Sequence, residues 1–230
     1  GATRRGEPVR LTGVIMGGGP NSWAAEGHIN AGLPLYATPS AARSFNDDLD
    51  KVQEMGVQLV SEDEAARLPQ EVRRIELRDF DFPAIASAFA SFGVSLDSLE
   101  AVAVAVFDHG DAPPDVSDRQ FRFDYLNARI RAENRLSAFA YLADQIPPIM
   151  TRLQAVAQSA RQSALPVLGN IPLVVMDTAP AAVLGVTFDP IVRSRARVMI
   201  ANVGNFHTLA FRLGPRGIEG VFEHHTGFLD

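Results

Sequence analysis

Hydrophobic runs alternate with amphipathic stretches along the first three quarters of the chain. Short runs rich in Val, Ile and Leu predict strands, and the stretches of helical periodicity between them predict helices. The predicted strands cover residues 9–16, 33–37, 57–60, 99–107 and 171–176. The predicted helices cover a stretch from Trp23 onward and residues 40–55, 82–92, 122–143, 148–164 and 180–185. This alternation is typical of an α/β fold.

The last quarter has a different pattern, because its apolar runs follow one another closely. Strands are predicted at residues 196–202, 207–213 and 217–222, with no room for a helix between them. A mixed sheet is therefore expected rather than a purely parallel one. We expect two parts, a first α/β subdomain with a helical segment over residues 1–165 and a second subdomain over residues 166–230.

Composition places the chain among globular proteins. Hydrophobic residues make up 47% of the 230 residues and charged residues 21%, which excludes a disordered or collagen-like chain. The formal net charge of −6 argues against a broad surface for nucleic acid. No apolar run is long enough to span a membrane, so we expect a cytoplasmic protein that binds neither nucleic acid nor membrane.

The lack of cysteine narrows the chemistry. With no Cys in the sequence, these residues cannot supply disulfides, thiolate metal sites, cysteine nucleophiles or the ligands of an iron–sulfur cluster.

The two ends of the sequence are also unusual. The first methionine is Met16, and the chain stops at Asp230 directly after a polar cluster at residues 223–227. We therefore expect the fold to be incomplete at both ends.

A glycine turn follows the first predicted strand. Gly17, Gly18 and Gly19 precede a predicted helix, where backbone N–H groups and the helix dipole favour an anion such as phosphate. The turn has neither the Lys-Ser/Thr of a Walker loop nor the spacing of G-x-G-x-x-G. A tight turn that only needs glycine explains the same residues.

A polar segment follows the most apolar strand. Asp108 and His109 are suited to acid–base chemistry or to binding a hard metal ion, and a loop in which Asp108 accepts backbone N–H groups is the alternative. Further along, Ser117 or Asp118 is expected to cap a helix. Arg119 beside them is a candidate clamp for an anion or carboxylate.

The densest polar cluster is Glu223-His224-His225-Thr226. Adjacent histidines on a strand face opposite sides, so His224 and His225 cannot both bind one metal ion unless the chain turns there. A metal site, a loop that faces the substrate and a simple surface all remain open. His28, after the glycine turn, is a further candidate base or ligand.

Residues 171–230 resemble the second half of the superfamily that contains sugar kinases, heat-shock 70 proteins and actin. Two segments carry the resemblance: Asp177-Thr178-Ala179-Pro180-Ala181-Ala182 and Asn202-Val203-Gly204-Asn205-Phe206-His207-Thr208. The resemblance implies a ribonuclease H-like, actin-like ATPase architecture with ATP and Mg²⁺ as cofactors. It also implies that Asp177 helps to position metal and water and that the second segment holds phosphate. Asn202 stands where the superfamily has a metal-facing Asp, so weaker Mg²⁺ binding is expected.

The whole chain is also similar to an uncharacterised prokaryotic family labelled "putative pyruvate formate-lyase activating enzyme". The similarity rests on five motifs between Met16 and Gly227: Met-Gly-Gly-Gly-Pro, Asp-His-Gly with Ser-Asp-Arg, Asp-Thr-x-Pro-Ala-Ala, Asn-x-Gly-Asn-x-His-Thr and Glu-His-His-Thr-Gly. The activity in the label needs an iron–sulfur cluster held by three cysteines. This cysteine-free sequence excludes that radical chemistry.

Three functions follow as hypotheses. The first is a protein, either a phosphotransferase or an ATP hydrolase, that binds a nucleotide or phosphorylated small molecule. The second is a histidine/carboxylate enzyme, with or without a metal ion, and the third is a non-catalytic module for a small-molecule ligand. A homo-oligomer is open in each case.

The candidate catalytic residues are Asp108, His109 and Asp177. The candidate phosphate-binding residues are Gly17, Gly18, Gly19, Asn202, Gly204, Asn205, His207 and Thr208. The candidate substrate or metal residues are His28, Arg119, Glu223, His224 and His225.

Overall fold

A computed structural model describes residues 6–15, 19–46, 48–108, 110–113, 115–204 and 207–225. Its contacts group the chain into two units. Unit 1 contains Gly1–Asp97 and Gln158–Gly169, and unit 2 contains Ser98–Ala157 and Asn170–Asp230. This grouping differs from the sequence-based division after residue 165, because residues 98–157 group with the C-terminal strands.

Unit 1 is built on a parallel four-stranded sheet. Its strands are β1 (Val9–Val14), β2 (Leu35–Ala37), β3 (Gln58–Leu59) and β4 (Arg73–Arg78), and its first helices are α1 (Gly19–Asn30), α2 (Pro39–Ala42), α3 (Leu49–Glu54), α4 (Glu62–Arg67) and α5 (Phe82–Ala90). The strand order is β3-β2-β1-β4, and all three pairings are parallel. One sheet face carries the apolar core, which includes Val9, Leu11, Leu35 and Ala37.

Strands β1 and β4 approach closely at Gly13. This residue has a φ of 84°, and a Cβ atom there would lie 2.3 Å from the carbonyl oxygen of Leu77. An L side chain would be strained by both the backbone angle and the contact. Glycine at this position therefore allows the two strands to pair over their full length.

The prediction of one continuous helix over residues 40–55 is wrong. The structure has two short helices instead, α2 and α3, because Asp48 starts a new helix. Its side chain accepts hydrogen bonds from the backbone N–H groups of Asp50 and Lys51, as an N-cap does. Residues 61–79 contain α4, which begins with a capping box between Ser61 and Glu64, and β4.

Unit 2 contains two three-stranded sheets. Its strands are β5 (Val102–Val106), β6 (Ala140–Leu142), β7 (Leu173–Asp177), β8 (Val198–Val203), β9 (His207–Gly214) and β10 (Gly217–His225). The remaining helices of the chain are α6 (Asp118–Ala132), α7 (Thr151–Ser163), α8 (Leu165–Leu168), α9 (Thr178–Val186) and α10 (Pro190–Arg193). In the first sheet, β7 pairs with β5 in parallel and with β6 antiparallel; the second sheet, β10-β9-β8, is antiparallel throughout. These sheets confirm a mixed α/β class.

The predicted helix 122–143 is wrong at its C-terminal end. Helix α6 already stops at Ala132, and a 3₁₀ turn at Leu136–Phe139 leads into β6. Pairing with β7 holds residues 140–142 in an extended strand, and the buried side chains of Phe139 and Tyr141 pack this segment into the core. Tertiary packing thus overrides the local helical pattern. Among the described residues, no helix combines the length and apolar character needed to cross a membrane.

Candidate functional site

The carboxyl ends of β5 and β7 place two aspartates together. The parallel register pairs Val106 with Asp177, and Asp108 follows two residues later. Both aspartates are buried, with 2% and 7% of their surface exposed. The backbone N–H of Asp108 donates to Oδ1 of Asp177 over 3.1 Å. Two positions 69 residues apart in the sequence thus meet at one strand edge, which is where α/β proteins place their sites.

Arg122 of α6 joins this edge to β10. Its Nη2 donates to Oδ2 of Asp177 over 2.9 Å, and its Nε donates to Oε2 of Glu223 over 2.6 Å. Its Nη1 donates to the backbone oxygen of Asp108 over 2.8 Å. The guanidinium also lies 5.2 Å from the ring centre of Phe107, within cation–π range. A single buried arginine therefore connects α6 with three strand ends.

The charges of this network are buried and paired. Burial opposes the charge of Arg122, but Asp177 and Glu223 more than offset that effect and raise the pKa of Arg122, which stays protonated. Burial raises the pKa of Asp177, although Arg122 and the N–H of Asp108 favour its charged form. The side chains of Arg122 and Glu223 are 5% and 2% exposed. Removal of one partner would leave buried charge without compensation.

Asp108 holds two backbone segments with its carboxylate. Its Oδ1 accepts the N–H of Gly110 over 2.9 Å, and its Oδ2 accepts the N–H of Leu153 in the first turn of α7 over 2.9 Å. This is the loop-capping arrangement that the sequence allowed as the alternative. The negative charge also suits the N-terminal end of α7. An acid–base role for Asp108 stays a prediction.

The β8–β9 hairpin carries the second motif of the resemblance. Asn202 and Gly204 are exposed at its end, and Thr208 is half-buried on β9. Thr208 pairs with Val203 on one side and with His224 on the other. Glu223 is the next residue on β10, so the backbone of the hairpin end lies beside the strand position that binds Arg122.

The C-terminal cluster continues strand β10, so neighbouring side chains lie on its two opposite faces. Glu223 points into the unit and pairs with Arg122, whereas His224 is exposed, with its ring 6.4 Å from that of Phe222. Strand β10 continues to His225, whose backbone pairs with that of His207. The side chains of His207 and His225 lie outside the described part of the structure.

A pair of tyrosines borders the network. The hydroxyl groups of Tyr125 and Tyr141 are hydrogen-bonded, and Arg129 lies 5.7 Å from the ring centre of Tyr141. Burial, followed by the Tyr141 hydroxyl, raises the pKa of Tyr125. The cavity among these side chains and Asp108 holds only about 10 Å³. That is the lower limit for one water molecule, so a ligand would have to lie outside the buried network.

Other candidate residues lie elsewhere. His28 belongs to unit 1, where it is 3% exposed. Arg119 is exposed in the first turn of α6, and the predicted cap of that helix is Ser117, whose hydroxyl accepts the N–H of Gln120. Gly19 is the first residue of α1. Gly17, Gly18, His109 and Asn205 lie outside the described residues.

Sequence reasoning did not choose Arg122 as a candidate, although its side chain contacts residues of three motifs. The signal was its position on α6, where Arg122 precedes the buried Leu126 by four residues and therefore shares its helix face. An arginine on the apolar face of a helix requires buried partners. Two of the motif carboxylates, Asp177 and Glu223, are those partners.

The described carboxylates are a poor fit for a directly bound metal ion. Both oxygens of Asp108 and both of Asp177 already accept hydrogen bonds, and Arg122 offsets the charges of Asp177 and Glu223. Asn202, at the position that the resemblance assigns to the metal, has no charge. Among the described side chains, no group of three His, Cys, Asp or Glu is arranged to hold a metal ion.

Comparison with known proteins assigns the chain to a family. No curated protein and no solved structure matches the chain significantly. One family of proteins matches residues 16–230, which is nearly the whole chain and includes all the motifs discussed above. The chain belongs to this family, which is described as "Putative pyruvate format-lyase activating enzyme (DUF1786)".

Proposed function

We propose that this protein binds a nucleotide or a phosphorylated small molecule at the edge of unit 2 formed by the end of β7, the start of α9 and the β8–β9 hairpin. The observation that carries the proposal is the convergence of motifs. Asp108, Asp177 and Glu223 come from segments up to 115 residues apart, yet all three contact Arg122. Motifs that serve only local turns have no reason to share a buried cation.

The start of α9 supports an anionic ligand. The helix begins at Thr178 directly after β7, and the side chain of Asp177, its N-cap residue, makes no capping hydrogen bond. The carboxylate is turned to Arg122 and Asp108 instead. The first N–H groups of the helix are thus not capped by this side chain, and they carry the partial positive charge that favours phosphate.

The hairpin supports a nucleotide in particular. An antiparallel hairpin, β8–β9, carries the Asn-x-Gly-Asn-x-His-Thr motif, and the actin-like superfamily has its second phosphate loop in a hairpin at the same place in the motif order. Exposed Gly204 leaves space for a phosphate, and the Thr208 hydroxyl is a hydrogen-bond donor. The ribonuclease H-like, actin-like architecture is part of this proposal.

We propose binding without rapid turnover. Both carboxylate oxygens of Asp177 already accept hydrogen bonds, one from the N–H of Asp108 and one from Arg122, which leaves Asp177 poorly placed to act as a general base. Because the described carboxylates fit a directly bound Mg²⁺ poorly, we derive no catalytic step through the metal ion. The family label does not change this, since the 230 residues contain no cysteine to hold an iron–sulfur cluster.

Unit 1 offers a second candidate position for the phosphate. The strand order β3-β2-β1-β4 places β1 where the order of the sheet reverses, and α1 begins at Gly19 shortly after β1 ends. Open α/β sheets bind ligands outside the carboxyl ends of the strands at such a point. The strand order favours this alternative, while the convergence of the motifs favours unit 2.

Calorimetric titration with ATP, ADP, GTP and inorganic phosphate, with and without Mg²⁺, tests the proposal. We expect saturable binding of at least one nucleotide, a loss of about five- to tenfold in affinity for Thr208→Ala because one hydrogen bond to a charged group is removed, and no change for Thr12→Ala. Thr12 is also half-buried but lies on β1 in unit 1. Asn202→Asp should make binding depend on Mg²⁺. If none of these compounds binds, or if both threonine variants behave alike, the proposal is wrong.

A further inference from the structure

A cavity of about 190 Å³ lies in unit 1 between α1 and the apolar face of the sheet, and it is partly open to the protein surface. Val9 and Leu11 of β1, with Ile75 and Leu77 of β4, form its floor. Ala24 of α1 is half-buried at its wall. An apolar hollow of about 150 Å³ is enough to hold a benzene molecule, so this one has room for a substituted ring.

Two polar side chains line this apolar cavity. Ser44 is 2% exposed, and its hydroxyl has no hydrogen-bond partner. His28 is 3% exposed, and its Nε2 lies 3.1 Å from the carbonyl oxygen of Pro34. Because a carbonyl can only accept, Nε2 carries the proton in this contact. The Ser44 hydroxyl is therefore a buried polar group that still needs a partner.

An unpaired buried hydroxyl destabilises a protein unless something binds it. The desolvation of such a group is not offset by any hydrogen bond within the protein. For comparison, the buried Ser163 of the same unit donates to the carbonyl oxygen of Ser159 and accepts the N–H of Phe82. Ser44 differs from Ser163 in lining a cavity. A ligand hydroxyl in that cavity would supply the hydrogen-bond partner that the protein does not give to Ser44.

We infer that the unit 1 cavity binds a small apolar molecule with a single ring or short alkyl group and one hydroxyl. The apolar part would fill the space over β1 and β4, and the hydroxyl would pair with Oγ of Ser44. The described residues that line the cavity include no charged side chain, so a carboxylate or phosphate would lose its hydration without gaining a counter-charge. This ligand class is distinct from the nucleotide proposed for unit 2.

Methyl-detected NMR titrations of the full chain with phenol, toluene and benzoate test the inference. We expect phenol and toluene to shift the methyl signals of Leu11, Ile75 and Leu77 saturably, with benzoate at least about tenfold weaker because its charge would be buried. Ser44→Ala should weaken phenol about fivefold and leave toluene unchanged, since only phenol loses a hydrogen bond.

A matched pair of variants tests the location. Ala24→Phe places a ring in the cavity and should abolish binding of both compounds, whereas Ala31→Phe adds the same ring at an exposed position and should leave binding unchanged. Methyl spectra establish whether each variant is folded. If Ala24→Phe does not fold, the comparison of phenol with toluene in Ser44→Ala still tests the inference. The inference is overturned if phenol causes no saturable shifts, if Ala24→Phe binds like the parent protein, or if Ser44→Ala affects phenol and toluene equally.

Discussion

The two units bury polar groups of different kinds. In the described part of unit 1, every polar residue that is buried is a serine, a threonine or a histidine: His28, Thr38, Ser44, Ser159 and Ser163. Among the described residues of unit 2, the buried polar ones are Asp108, Arg122 and Asp177, joined by the Glu223 side chain. The cavity lined by Ser44 in unit 1 has about 190 Å³, whereas the cavity among Asp108, Arg122 and Asp177 in unit 2 has about 10 Å³.

This difference shows what each interior can do. Buried charges are costly and are tolerated only with close partners, so the network of unit 2 leaves little freedom to the strand ends that it joins. The apolar lining and neutral hydroxyl group of the unit 1 cavity need no such fixed partners of opposite charge. We therefore expect unit 2 to present a rigid edge to its ligand and unit 1 to admit a ligand into its core.

The largest effect is expected when the network of unit 2 is broken at Arg122. Arg122→Met should lower the free energy of unfolding of unit 2 by about 3–5 kcal/mol, because Asp177 and Glu223 stay buried without their cation. Arg131→Met, at an exposed position on the same helix, should change it by no more than about 0.5 kcal/mol.

The aromatic residues allow each unit to be followed during urea unfolding. The single tryptophan, Trp23, lies in unit 1, and two of the three tyrosines, Tyr125 and Tyr141, lie in unit 2. Arg122→Met should move the tyrosine-detected transition more than the tryptophan-detected one. Equal effects of Arg122→Met and Arg131→Met would show that the network contributes nothing.

A somewhat smaller effect is expected at Asp108. Asp108→Ala removes the acceptor of two buried backbone N–H groups, those of Gly110 and Leu153, and should cost about 2–3 kcal/mol. Asp108→Asn keeps one acceptor and should cost less. Hydrogen exchange at these two amides gives a direct reading. Protection that is unchanged in Asp108→Ala would contradict the capping role.

The pH dependence of unit 2 should reveal Asp177. Its pKa is raised above the unfolded value of 3.8, so its contribution to stability is fully present below that pH and is lost as the pH rises through the folded pKa. Asp177→Asn should be less stable than the parent protein, by a margin that shrinks as pH rises from about 4 to about 7. Urea unfolding over this range measures the margin. A margin that grows with pH would mean that pairing with Arg122 outweighs burial.

The smallest effects are expected from two buried serines of unit 1. Ser163→Ala should cost about 1 kcal/mol, because the hydroxyl donates to Ser159 and accepts from Phe82. Ser44→Ala should be neutral or slightly stabilising, since its hydroxyl has no partner in the absence of ligand. Thermal unfolding detected at Trp23 compares the two. A cost at Ser44 equal to that at Ser163 would point to a partner for the Ser44 hydroxyl.

Strand ends were the most predictable part of the candidate site. Asp108 and Asp177 each follow an apolar run, and parallel strands bring such positions to one edge. These predictions needed only local pattern and general rules of sheet geometry.

The rest depended on contacts between distant segments. Arg122 has no local signature of function, and its role depends on partners 55 and 101 residues away. Residues 140–142 form a strand because β7 offers them an edge, which a helical periodicity cannot reveal. The break at Asp48 was missed because an N-cap inside a helix-compatible stretch has the same composition as an exposed helical position.

The most direct test of the central claim is an amide NMR titration of the full chain with ADP and then with ATP, in the absence and presence of Mg²⁺. The account predicts saturable shifts at Thr178, Gly204 and Thr208 in unit 2, with the amides of unit 1 unchanged. Shifts confined to the start of α1 in unit 1, or no saturable shifts at all, would contradict it.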